Sequence, residues 1–122
     1  MIRPNEVQKM SAGSGIRHSE FNASQTEPVH FLQIWIMPDR QNIEPSYEQK
    51  AFGVEERQDQ LRLVASPDGA EGSLKIAQQA RLYSAVMGSG SVLKHDLKPG
   101  RLGWVHVVSG QLSVNGKALA TG

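Results

Sequence analysis

Hydrophobic and polar positions alternate along much of this chain with a period near two, the period of extended strands. The strongest apolar run is Val29 to Met37. His30, Leu32, Ile34 and Ile36 fall on one face, and Val29, Phe31, Gln33, Trp35 and Met37 on the other. Both faces are largely apolar and the run closes on Pro38 and Asp39, so it predicts a central strand covered on two sides. Further short strands are expected at Tyr47–Phe52, Leu61–Ala65, Ser73–Ile76, Arg81–Met87, Ser91–Leu97, Leu102–Val108 and Gln111–Asn115. Turn chemistry separates them: Ser66-Pro67-Asp68-Gly69, then Lys98-Pro99-Gly100, then Asn115-Gly116, the last favouring a type I′ hairpin. Asp39 to Pro45 reads as loop, Gly53 to Asp59 as a solvated connection, and Ala77 to Ala80 as a bend. Many short strands with Gly and Pro between them and no long helix predict an all-β sandwich or barrel.

A chain of 122 residues supports one ordinary domain with a real core. Thirteen basic against twelve acidic residues leave a net charge of +1, which argues for neither nucleic acid nor an anionic membrane as partner. There is no cysteine, so disulfides, thiolate ligands and cysteine nucleophiles are excluded. That fits a reducing compartment, and a cytoplasmic location is the expectation. No apolar run approaches the roughly 20 residues of a membrane-spanning helix.

The candidate chemistry lies in Met10 to Asn22. A small, Gly-rich turn (Ala12 to Gly15) leads into Ile16-Arg17-His18-Ser19-Glu20-Phe21. On an extended segment alternate side chains share a face, so His18 and Glu20 point the same way. An imidazole nitrogen beside a carboxylate oxygen suits iron, copper, nickel, manganese or zinc. By itself this is half a site, and a solvated strand face is the more economical explanation of the pair. The three remaining histidines are less suggestive. His30 and His106 sit in apolar runs and read as structural, while His95 alternates with Leu93 and Leu97 and suits core or surface. No P-loop, dinucleotide fingerprint, nucleophile elbow or His-Glu-x-x-His pattern occurs.

The segments Met10 to Asn22, His30 to Pro38 and Pro45 to Gln49, continued by Leu63 to Gly69, Gly72 to Ile76 and Trp104 to Gly110, resemble the pirin family along nearly the whole chain. The resemblance implies a cupin fold, the double-stranded β-helix or jelly roll, arranged as a bicupin. It implies that residues 1–52 are the later part of a first cupin, 53–76 linker and connecting strands, and 77–122 the early part of a second. His18 and Glu20 match the third histidine and the glutamate of the family's metal site. The family's other two histidines come from an upstream His-x-His segment, which has no counterpart here. On that expectation the chain is an incomplete bicupin whose open sheets close as a hybrid barrel or by strand exchange in a homodimer.

For the longer protein the resemblance implies a divalent metal, Fe(II) foremost, and quercetin 2,3-dioxygenase activity on a flavonoid. Glu20 would then be both ligand and proton acceptor, and the chain on its own would be expected to be inactive. The family also includes members linked to transcriptional regulation, which implies the alternative of a non-catalytic protein-interaction module.

Overall fold

A computed structural model describes residues 1–122. Three small sheets carry the fold, with no α-helix. Strand β1 (Glu6–Ser11) pairs antiparallel with β2 (Ser46–Ala51). A central trio places β3 (Arg62–Ser66) between a parallel neighbour, β4 (Leu74–Lys75), and an antiparallel one, β5 (Leu82–Ser84). The hairpin of β6 (Gln111–Val114) and β7 (Lys117–Ala120) closes the order.

The best-packed element is β3. Leu63, Val64, Ala65 and Ser66 are all buried, which is what an unbroken apolar run requires when both faces are covered. Phe52, Val64, Ala65 and Leu74 form the core cluster, with Val7, Ile76 and Leu82 against it. Phe52 also receives two cations over its ring, Arg62 at 5.2 Å and Lys50 at 5.7 Å from the centroid. A bulge between Leu63 and Ala65 sets two β3 residues against one step of β5 and bends the central strand.

The expected strands at 47–52, 61–65, 73–76, 81–87 and 111–115 are present, some shorter than expected. At the hairpin tip Asn115 (φ 48°) and Gly116 (φ 81°) are both left-handed, as a type I′ turn demands. Strand β1 was not anticipated, because only Val7 and Met10 are apolar in it. Polar cross-strand pairs hold its register instead. Gln8 faces Gln49 and donates to it at 3.1 Å, and Lys9 faces Glu48 at 3.9 Å.

Three expectations fail for one physical reason. Val29–Met37, Ser91–Leu97 and Leu102–Val108 form no strand, and their large apolar side chains are mostly exposed. A strand exists only where a neighbour takes up its N–H and C=O groups. Apolar alternation measures suitability for burial, not the presence of that neighbour. His30 and His106 are accordingly exposed rather than structural core histidines, and His95 is exposed with its ring 4.8 Å from that of Tyr83.

Gly53 to Asp59 is more than a solvated connection. Arg57 donates to the Gly53 carbonyl (3.2 Å), Ser84 Oγ (3.3 Å) and Asn5 Oδ1 (2.5 Å), tying the N-terminus to β5. Asp59, itself left-handed at φ 53°, accepts the Gly88 N–H at 2.7 Å.

Candidate metal centre

The site segment leaves β1 through a turn that only glycine can make. The Gly15 N–H donates to the Ala12 carbonyl at 2.8 Å, and Gly13 adopts φ 55°. A Cβ on Gly13 would collide with the Ile43 carbonyl oxygen and come within 2.7 Å of the Pro45 nitrogen. The chain that enters β2 therefore presses directly against the turn that leaves β1. Gly15, at φ 129°, faces open space.

Beyond the turn His18 Nε2 lies 3.9 Å from Glu20 Oε1. Their side chains are 41% and 37% exposed, and neither meets another ion-pair partner. Local polar bonds then reverse the chain. Asn22 Nδ2 donates to the Glu27 carbonyl (2.6 Å), Asn22 Oδ1 accepts the Ser24 N–H (3.0 Å), and Ser24 Oγ accepts the Glu27 N–H (2.8 Å). The pair thus sits between a glycine turn and an Asx turn.

The donor set fits a first-row divalent ion. At bond lengths of about 2.0–2.2 Å, neighbouring donors on one tetrahedral or octahedral ion lie about 3–3.5 Å apart. The 3.9 Å spacing is wider than that, and rotation of the half-exposed His18 and Glu20 side chains has to close it before one ion meets both. No other histidine or carboxylate joins them, since no group of three or more His, Asp or Glu side chains in the chain is placed to hold a metal. His30, His95 and His106 lie elsewhere. The structure brings the two singled-out residues together and supplies no third.

His18 also borders an open depression of about 320 Å³, with Met10, Ile16 and Tyr47 among its walls. Tyr47 was read from the sequence only as a strand residue. Its place beside His18 follows from the β1–β2 register, which sets it opposite Met10, and that register became visible only with β1.

Comparison with known proteins defines the class. Residues 63–122 match the family model described as the quercetinase C-terminal cupin domain, and residues 1–36 match the pirin model. The all-β chain is of the cupin type. It belongs to the pirin family. It is 43% identical over 120 residues to quercetin 2,3-dioxygenase of Escherichia coli K12, covering 98% of this chain and 51% of that protein. It is 38% identical over 122 residues to a putative quercetin 2,3-dioxygenase of Pasteurella multocida, again with 98% and 51% covered. The crystal structure of the bacterial pirin YhhW from Escherichia coli in complex with nickel(II) superposes with a TM-score of 0.76 at 42% identity, over 96% of this chain and 49% of that one. The chain spans about half the length of the curated relatives it matches.

No helix of the chain is long and apolar enough to cross a membrane.

Proposed function

We propose that His18 and Glu20 are two ligands of a divalent transition metal in a pirin-type cupin, and that the protein's chemistry is oxidation of a flavonoid of the quercetin type. The observation that carries this reading is the His18–Glu20 pair itself, an imidazole and a carboxylate 3.9 Å apart on the segment matched by the pirin model. The relatives named as quercetin 2,3-dioxygenases support the substrate class, and the nickel(II) complex of a pirin supports a divalent ion. Fe(II) is the proposed native metal, with nickel, copper, manganese and zinc as substitutes that the same donors accept. In domain terms, 1–52 belong to a first cupin, 53–76 connect, and 77–122 begin a second.

A bound divalent ion supplies Lewis acidity toward an enolic oxygen of the substrate. Glu20 would accept the proton of that hydroxyl, a task a half-exposed carboxylate performs for a group within hydrogen-bond reach. The depression beside His18, with Tyr47 and Met10 in its wall, is where a flat aromatic ring would lie. Two protein ligands fall short of the usual four, so this chain alone binds the ion weakly and the whole protein's turnover requires further donors.

Calorimetric titration of the purified chain with Ni(II), and anaerobically with Fe(II), tests the ligand assignment. His18→Ala and Glu20→Ala are each expected to weaken binding on the order of tenfold or more. Equal affinity in the wild type and both variants overturns it. Quercetin consumption with oxygen uptake by the metal-loaded full-length protein, lost in both variants, tests the activity.

A further inference from the structure

Tyr47 stands in the wall of the depression that His18 borders, opposite Met10 in the β1–β2 ladder. Gln49, two residues further along β2, shares its face, and the Tyr47 hydroxyl donates to Gln49 Oε1. The direction of that bond is set from the far side of the amide. Gln49 Nε2 lies 2.6 Å from Glu6 Oε2 and 3.1 Å from the Met1 carbonyl oxygen. An ionised carboxylate and a carbonyl can only accept, so the nitrogen of the amide must face them. The Glu6 carboxylate is held in its turn by the Arg3 N–H at 2.6 Å. The amide oxygen therefore faces Tyr47, and Gln8 Nε2 donates to that same oxygen at 3.1 Å.

A tyrosine has one hydroxyl hydrogen, and here Gln49 takes it. What Tyr47 offers a molecule in the depression is its ring and an oxygen lone pair. Met10, Ile16 and Pro45 make the apolar part of the wall, which holds a flat ring without orienting it. Of the other polar groups there, Arg17 can only donate, and Ser46 Oγ is engaged by Lys9 at 3.0 Å. An acceptor of fixed direction selects a ligand that brings a hydrogen to it, and an analogue without that hydroxyl leaves the acceptor unpaired.

We propose that Tyr47 is a specificity-determining residue, its hydroxyl oxygen accepting a hydrogen bond from a phenolic hydroxyl that the substrate carries besides its enolic one. The inference rests on the flavonoid reading above and narrows it, from flavonols in general to those with further free hydroxyls. Tyr47 is 57% exposed, so water competes for the same lone pair and the discrimination is modest beside that of a closed site.

Binding to the full-length, Ni(II)-loaded protein under anaerobic conditions tests this without turnover. The probes are quercetin and unsubstituted flavonol, which keeps the enolic hydroxyl and lacks every other. The wild type is expected to bind quercetin about tenfold more tightly, and Tyr47→Phe, which keeps the ring and loses the oxygen, to cut that ratio about fivefold by weakening quercetin alone. A residue that merely supports the wall would weaken both flavonols together, so each probe controls for the other.

An unchanged ratio in Tyr47→Phe overturns the proposal, as do equal weakening of both probes and failure of the wild type to bind either. Discriminating binding that Tyr47→Phe abolishes, with no oxygen uptake when air is admitted to the Fe(II)-loaded protein, upholds the role of Tyr47 and overturns the dioxygenase reading instead.

Discussion

The hydroxyls of Ser66 and Ser73 lie 2.7 Å apart in the interior, and the direction of the bond between them follows from their other partners. Ser66 Oγ donates its only hydrogen to Asp68 Oδ1 at 2.9 Å. Ser73 must therefore be the donor to Ser66, which also accepts the Ala70 N–H at 3.1 Å. Two serines, one carboxylate and one amide thus lock the turn that brings β4 alongside β3.

That ordering makes the two serines unequal. Ser66→Ala strands the buried Ser73 hydroxyl without a partner and is expected to cost about 1–3 kcal/mol, while Ser73→Ala removes one of three bonds at Ser66 and costs about 0.5–1.5 kcal/mol. The double variant is expected to be no less stable than Ser66→Ala alone. Urea denaturation of the three variants checks this, and equal single costs that add in the double variant would contradict the assigned direction.

Acid stability follows from three carboxylates. Asp68 is held below its ordinary value of 3.8 by the Ser66 hydroxyl, the Ala70 amide and the Arg81 guanidinium. Asp59 is lowered by Gln58, Ser91 and the Gly88 amide. Glu56 is lowered from 4.5 by the Gly53 amide and Arg62. A carboxyl whose pKa is depressed by folding adds stability above its unfolded value, and that stability is lost as the pH falls through the folded one. The melting temperature is therefore expected to hold from neutrality to about pH 5 and to drop below about pH 4. Asp68→Asn keeps an acceptor for Ser66 but cannot titrate, so its decline should be shallower. An identical acid profile would show that Asp68 contributes nothing to it.

Gly13→Ala is expected to destabilise the chain by more than about 1 kcal/mol, because a Cβ at φ 55° is strained and also meets the backbone of Ile43 and Pro45. Gly15→Ala, strained but facing open space, should cost less. Thermal melts of both variants give the comparison, and equal losses would show that the contact with Ile43 and Pro45 is immaterial.

The sequence was most legible where one residue's chemistry acts locally. Asn115-Gly116 specified its turn, Ser66 to Gly69 specified another, and Leu63 to Ala65 specified a buried strand. The His18–Glu20 pair was legible for the same reason, since two residues on one short segment need no distant partner to meet. What could not be read locally was pairing. Strand β1 is held by Gln8–Gln49 and Lys9–Glu48, polar contacts that no periodicity reveals, and Tyr47 reaches the site only through that register. Val29–Met37 shows the converse case, a sequence well suited to a sheet with no ladder neighbour in the chain's own structure. Residue resemblance carried the family further than physics alone, because the motif order spans loops and strands alike.

The ladder of β1 and β2 has a thermodynamic consequence for anything that binds beside His18. It closes a loop running from Ser11 to Ser46, clasped again where the Asp39 N–H meets the Ala77 carbonyl and Gln78 meets the Met37 carbonyl. Tethering a loop of that length costs on the order of 3 kcal/mol, and the pairing of the two strands already meets it. An ion captured by His18 and Glu20 need immobilise only the few residues between the Gly13 turn and the Asx turn at Asn22. The sheet that lends Met10 and Tyr47 to the depression beside His18 thereby also fixes the ends of the loop that carries the proposed pair.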